Sequence, residues 1–339
     1  MIQSFFHRWE RTLATVDTNR VIRPFEWGPE WIGAPADAAD PAQTIREWSR
    51  ASVADSDAFY AVDAAADYTI AGDTLTFTSA LVSPYDVNNR VTARIFHPRA
   101  PKPRPLADQP IVIVLPQWNS DAGGHVALAQ LYARFGISAV RLSLPYHDVR
   151  KPAELERADF IVSANIGRTL HANRQAVLDA KRVVTWLWDQ GYRRIGIMGT
   201  SLGSCLSMIT MAHDERIRAG AFNHVSTYFA DPIWRGISTH HVRLGLEQGI
   251  GLDDLREMWM PISPWPYIDR LRGRRALMVY APYDLTFPPD LSREFSREFT
   301  RRNVAHTVRV LPCGHYTTGK APFKFLDAFY LTRFFLKNL

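Results

Sequence analysis

The sequence predicts an α/β protein in which a mostly parallel central sheet carries helices on both faces. From about Asn89 onward, short apolar runs ("VTARIF", "IVIVLP", "ISAVRLSLP", "RIGIMG", "IRAGAF", "RALMVYA" and "HTVRVLP") alternate with longer mixed stretches, the pattern of strands joined by helical crossovers. Between two of these runs, Ala176, Ala180, Val183, Val184 and Leu187 recur at helical spacing, and Gly191 stands where a C-terminal cap belongs. That stretch predicts a core-facing helix leading straight into the next strand. The 339 residues, 46% of them apolar and ten of them tryptophan, suffice for a large compact core.

Taken in order, residues 1–73 read as a helical arm packed on the core. Phe5, Trp9, Leu13 and Val16 are spaced as one helical face. Packing is preferred to a membrane-surface role because Glu10 and Asp17 interrupt the basic face that lipid binding favours. The main domain runs from 74 to 339. It opens with "TLTFTSALVS" and "NNRVTARIFHP", which read as an antiparallel hairpin at the sheet edge with "PYDVNN" between them. Two stretches break the strand-helix rhythm. One is Tyr146 to His171, and the other follows "IRAGAF" and contains Pro261, Pro264 and Pro266 after a helical pattern. The second predicts a helical insertion at about 226–270, of the kind that forms a lid or a binding wall.

Composition excludes several classes of function. The net charge of +6 comes from 40 basic and 34 acidic residues scattered along the chain, without the basic run that grips phosphates, so no nucleic-acid partner is expected. Two cysteines, Cys205 and Cys313, make no disulfide framework and fit a reducing compartment. The first residues show no secretory pattern, and no apolar run nears the ~20 residues that span a bilayer, so a cytoplasmic protein without an integral membrane segment is expected. No histidine pair has metal-ligand spacing with an acidic partner; neither a metal nor a cofactor is called for.

The chemistry concentrates at "IGIMGTSLGSC", where Ser201 stands between Gly199 and Gly203 at a strand-to-helix turn. Small neighbours let such a turn be sharp and expose a hydroxyl above the sheet. A serine needs a base and an acid to orient that base, and both follow in order. Asp284 lies in the loop after "RALMVYA", and His315 lies in the loop after "HTVRVLP". All three follow strand C-terminal ends, the edge where parallel sheets place ligands. Asp231 and Asp290 compete as the acid. His224 reads as a core or supporting residue, and His147, His240 and His241 read as surface residues of the insertions, with substrate contact as the alternative. Oxyanion donors are expected from the backbone N–H of Leu202 and of Trp118, with the Asn119 side chain as the alternative to Trp118. Cys205 and Cys313 read as buried thiols.

With these residues in the order Ser, Asp, His, the chain from about Thr74 onward resembles the α/β-hydrolase superfamily. More narrowly, "RWERTLATVDTNRVIRPFEWG" and "IWRGISTHHVRLGLE" with "MPISP" resemble a mostly uncharacterised α/β-hydrolase-domain family found in bacteria and eukaryotes. Many superfamily members carry His-Gly before the oxyanion loop, where this chain has Pro116 and Gln117. The resemblance implies a cofactor-free serine hydrolase acting on a small-molecule or lipid ester, with peptidase, acyltransferase or a catalytically silent binding protein as the other readings. Fold by itself does not fix the substrate.

Overall fold

The computed structural model describes residues 2–98 and 104–339. They build a sheet of nine strands: β1 (Thr69–Ala71), β2 (Thr74–Thr78), β3 (Arg90–Phe96), β4 (Pro110–Leu115), β5 (Ser138–Leu142), β6 (Arg194–Thr200), β7 (Ile217–Asn223), β8 (Arg275–Tyr280) and β9 (His306–Val310). Their spatial order is β1-β2-β3-β5-β4-β6-β7-β8-β9. Pairing is antiparallel from β1 to β5 and parallel from β5 through β9. The expected hairpin is β2 and β3. It is not the edge, however, because β1 adds a further strand whose three residues are all exposed.

Every residue of β4 is buried, and alternation along it divides the core. Ile111, Ile113 and Leu115 face a cluster containing the helices Ile166–Asp189 and Leu202–Ala212. Val112 and Val114 face the other layer, built from the helices Val126–Arg134 and Phe323–Asn338 and from Phe6 of the N-terminal helix Ile2–Ala14. The helix predicted before β6 starts at Ile166, so the tail of the irregular Tyr146–His171 stretch belongs to it. The rest of that stretch is anchored by Arg150, fully buried and paired with the equally buried Asp179 at 2.9 Å. Arg150 also donates to the Asn88 and Ser143 carbonyls, and Ser79 donates to Asp179. A buried ion pair is tolerated only with such complete satisfaction.

The N-terminal helix buries a different stripe from the one expected. Its buried residues are Phe6, Glu10 and Ala14, whereas Phe5 and Val16 are exposed. Glu10 therefore points into the protein and does not interrupt an outer face.

Between β7 and β8 lie the short helices Ala230–Arg235, His240–Leu246 and Leu252–Met258 and two 3-10 segments. This insertion is fastened by the N-terminal region. Ser49 donates to the Met258 carbonyl at 2.6 Å and Tyr60 to the Pro261 carbonyl at 2.9 Å. Arg46 pairs with Asp254 and Glu257. Phe25 packs so closely on Gly249 that a Cβ there would lie 2.3 Å from its ring.

Candidate active site

One residue makes the turn between β6 and the helix Leu202–Ala212. Ser201 has φ 56° and ψ −118°, a backbone state that costs on the order of 1–3 kcal/mol and persists only where its surroundings enforce it. Its N–H donates to the Asn223 carbonyl of β7 at 2.8 Å, and its carbonyl accepts from the Ser204 N–H and hydroxyl. The flanking glycines have packing reasons. A Cβ on Gly199 would fall 1.9 Å from the Gly203 oxygen, and one on Gly203 would fall 2.3 Å from the Leu115 oxygen. Gly199 thus lets the helix start over the strand, and Gly203 seats it against the end of β4.

Asp284 and His315 meet as the sequence predicts. His315 Nδ1 lies 2.9 Å from Asp284 Oδ2, and the carboxylate is turned by its other oxygen, which accepts the Thr286 and Phe287 N–H groups at 2.7 Å each. His224, which follows β7 with φ 56°, brings its Nδ1 to 2.8 Å from the same Oδ2. That approach is out of line for a good hydrogen bond and acts chiefly as an electrostatic contact. His224 Nε2 lies 3.2 Å from the Thr318 hydroxyl. Burial alone would raise the pKa of Asp284, but the two imidazoles beside it outweigh burial and hold it well below the carboxylate range. Burial alone would lower that of His315, and the Asp284 carboxylate, aided by Glu10, reverses this and raises it. The carboxylate is thus fixed as an anion and the imidazole is made more basic.

His224, Asp284 and His315 offer ligand atoms within 4.8 Å of one another. Tetrahedral zinc with bonds near 2.0 Å separates its ligands by roughly 3.3 Å. The 2.9 Å between His315 Nδ1 and Asp284 Oδ2 is instead that of a shared proton, and the 2.8 Å approach of His224 Nδ1 to the same oxygen is also shorter than that spacing.

Ser201 and Leu202 line a cleft with Trp118, Val162, Phe229 and Phe287. The Phe287 ring stacks on His315 at 5.6 Å between centroids, which places the imidazole beside the cleft. Among the described residues no hydrogen bond joins the Ser201 hydroxyl to His315. Such contacts often close only around substrate. Leu202 is the first residue of its helix, so its N–H has no intrahelical partner. Trp118 opens a turn closed by Ser120 N–H to the Gln117 carbonyl, and among the described residues its own N–H meets no acceptor.

The neighbouring Asn119 is occupied differently from the alternative the sequence left open. Its Oδ1 accepts the Ala158 N–H at 2.7 Å, and its own N–H donates to His147 Nε2 at 3.0 Å. The expectation that His147 and His241 are surface residues is corrected. His147 is buried, bonded through Nδ1 to the Pro145 carbonyl, and burial depresses its pKa to about 4. It is therefore a neutral strut under the Trp118 loop. His241, also buried, stacks on the Trp118 ring at 5.8 Å and 3°. Only tertiary packing reveals either role.

The competing acids stand elsewhere. Asp290 pairs with Arg235, and Asp231 pairs with Arg256 at 2.7 Å. Cys205 and Cys313 are both buried, and burial pushes their thiols up to about 11 and about 12.

No family model and no curated protein matches the sequence. Solved structures do. The chain is similar to an acylaminoacyl peptidase from Pyrococcus horikoshii, with TM-score 0.60 and 16% identity over 78% of this chain and 41% of that one. It is similar to acetyl xylan esterase 1 from a Thermoanaerobacterium species, with TM-score 0.59 and 16% identity over 86% and 93% of the two chains. An esterase from Pyrococcus furiosus aligns with TM-score 0.53 and 14% identity over 80% and 91%. Identities this low speak to architecture alone. Together with the strand order and the turn at Ser201, they show that the chain has the α/β-hydrolase fold.

Proposed function

We propose that the protein is a serine hydrolase that cleaves carboxylic esters. Ser201 is the nucleophile, His315 the general base and Asp284 the acid that orients it. The Leu202 and Trp118 N–H groups form the oxyanion hole. The observation that carries this reading is the Asp284–His315 pair at the same sheet edge as a serine held in a strained strand-to-helix turn. In the first step His315 Nε2 takes the Ser201 proton as Oγ attacks the carbonyl, and the two backbone donors take up the developing oxyanion. The imidazolium then gives its proton to the leaving alcohol. Water repeats the sequence on the acyl-enzyme.

An ester is preferred to a peptide because Trp118, Val162, Leu202, Phe229, Pro232 and Ile233 form much of the cleft lining, and among the described residues no charged side chain lines it to hold a peptide terminus. We assign residues 74–339 to the hydrolase domain, 226–270 to its cap and 1–73 to an arm packed on it. A fluorophosphonate probe tests the reading, since it reacts only with an activated serine. Wild type is expected to be labelled, and Ser201→Ala to lose all labelling with its melting temperature nearly unchanged. Labelling that survives Ser201→Ala, or an unlabelled wild type, overturns it.

A further inference from the structure

We propose that the N-terminal helix is part of the catalytic centre, with Glu10 as the positioning residue that holds the loop carrying His315. The proposal rests on the reading of His315 as the general base.

Glu10 is fully buried, and its carboxylate is the hub of that loop. Oε2 accepts the Tyr316 N–H at 3.0 Å, while Oε1 accepts the Thr317 N–H at 2.9 Å and the Thr317 hydroxyl at 2.8 Å. Tyr316 and Thr317 are the two residues directly after His315. On its other side Gly314 makes the room, since a Cβ there would lie 2.4 Å from Glu10 Cδ. The Gly314 N–H donates to the Thr317 hydroxyl at 2.7 Å, so the loop closes around the carboxylate.

The same helix also reaches the acid. Phe6 stacks on Tyr283 at 4.7 Å and 5°, Tyr283 directly precedes Asp284, and the Tyr283 N–H donates to the Cys313 carbonyl at 3.1 Å. One helix therefore touches residues adjoining both members of the Asp–His pair. Arg20 extends the clamp, donating to the Tyr316 hydroxyl at 3.1 Å and to the Ile237 carbonyl at 3.3 Å.

A carboxylate suits this place because it only accepts, and three donors converge on it. Among the described residues no lysine or arginine pairs with it, so its charge is compensated only by these donors and adds to the field at His315. The ionisable groups that act on His315 are Asp284, His224 and Glu10. Phe287 and Tyr316 pack on its ring, and Arg20, Asp17 and Arg157 lie beyond Tyr316.

The test uses the full chain with Glu10→Gln, and with Arg8→Gln on the exposed side of the same helix as control. A carboxamide must turn its NH2 toward one of the donors, so the loop shifts and the charge is lost together. The expected result is a loss of about 10- to 10²-fold in kcat with KM within about twofold, the scale of a small misplacement of a catalytic group. The His315 titration, followed by NMR of the imidazole, should move to lower pH, and the acid limb of kcat/KM with it. Arg8→Gln should show neither effect. A folded Glu10→Gln with wild-type kcat and an unmoved titration overturns the proposal. If Glu10→Gln does not fold, Thr317→Val decides: a severalfold loss of kcat with the titration unmoved is expected, and a wild-type kcat overturns the proposal. The titration needs no substrate. An unlabelled wild type whose His315 still responds to Glu10→Gln refutes the hydrolase reading, whereas a labelled wild type with no response refutes only the role of Glu10.

Discussion

Replacing Asp284 with asparagine is the most informative single change, because the structure dictates which way the amide must face. The two short bonds from the Thr286 and Phe287 N–H groups to Oδ1 require an acceptor there, so the asparagine carbonyl takes that position and its NH2 faces the two histidines. An imidazole Nδ1–H cannot donate to an NH2 group. His315 must then carry its proton on Nε2, on the side of the serine, and can no longer accept the Ser201 proton. His224 can make the same switch harmlessly, since its Nε2 would donate to the Thr318 hydroxyl 3.2 Å away. The variant should therefore fold and lose catalysis. The same change in a serine-protease triad costs about 10⁴ in kcat, equivalent to about 5 kcal/mol of transition-state stabilisation at 1.36 kcal/mol per tenfold. The assay is kcat on a short p-nitrophenyl ester, with near-UV circular dichroism to confirm the fold. Asp290→Asn, which only disturbs the exposed Arg235 pair, should stay within a few fold of wild type. A folded Asp284→Asn that keeps a tenth or more of wild-type turnover, or an Asp231→Asn that is the more damaging change, would refute the assignment.

Two further outcomes are expected. Trp118→Pro deletes a backbone donor and, in a folded variant, should lower kcat by about 10² to 10³, while Asn119→Ala, which removes only a link to Ala158, should cost far less; the reverse ranking places the donor on the Asn119 side chain. Across a series of ester chain lengths below micelle-forming concentrations, medium acyl chains should give higher kcat/KM than acetate because the cleft walls are apolar, and a flat series would count against that pocket.

The sheet and the placing of the three candidate-site residues at strand ends were legible because each rests on a local pattern: an apolar run, then a turn, then a polar residue at the strand's end. Ser201 had the further signal of paired glycines, now explained by two close approaches of backbone. What escaped the sequence was set by contacts distant in the chain. The exposed strand β1 has no apolar pattern to announce it. His147 and His241 look like loop histidines until packing buries them, and Glu10 looks like a solvated charge until the Tyr316 and Thr317 donors are seen. A buried acid surrounded by N–H groups leaves no compositional trace, since its partners are main chain.

The fastening of the proposed cap bears on how a substrate would enter. A lid that swings must leave hydrogen bonds it can afford to break, and low local stability is the usual mark of such segments. Here the insertion is tied to the N-terminal region by the bonds of Ser49 and Tyr60, by the ion pairs of Arg46 and by the seating of Gly249 on Phe25. To lift as one body it would have to release all of these at once. Under the proposed function, a substrate would meet a cleft whose apolar lining, Phe229, Ile233 and Phe287 among it, is itself packed into the protein. On the proposed reading, a wall so anchored favours slender acyl groups over bulky ones.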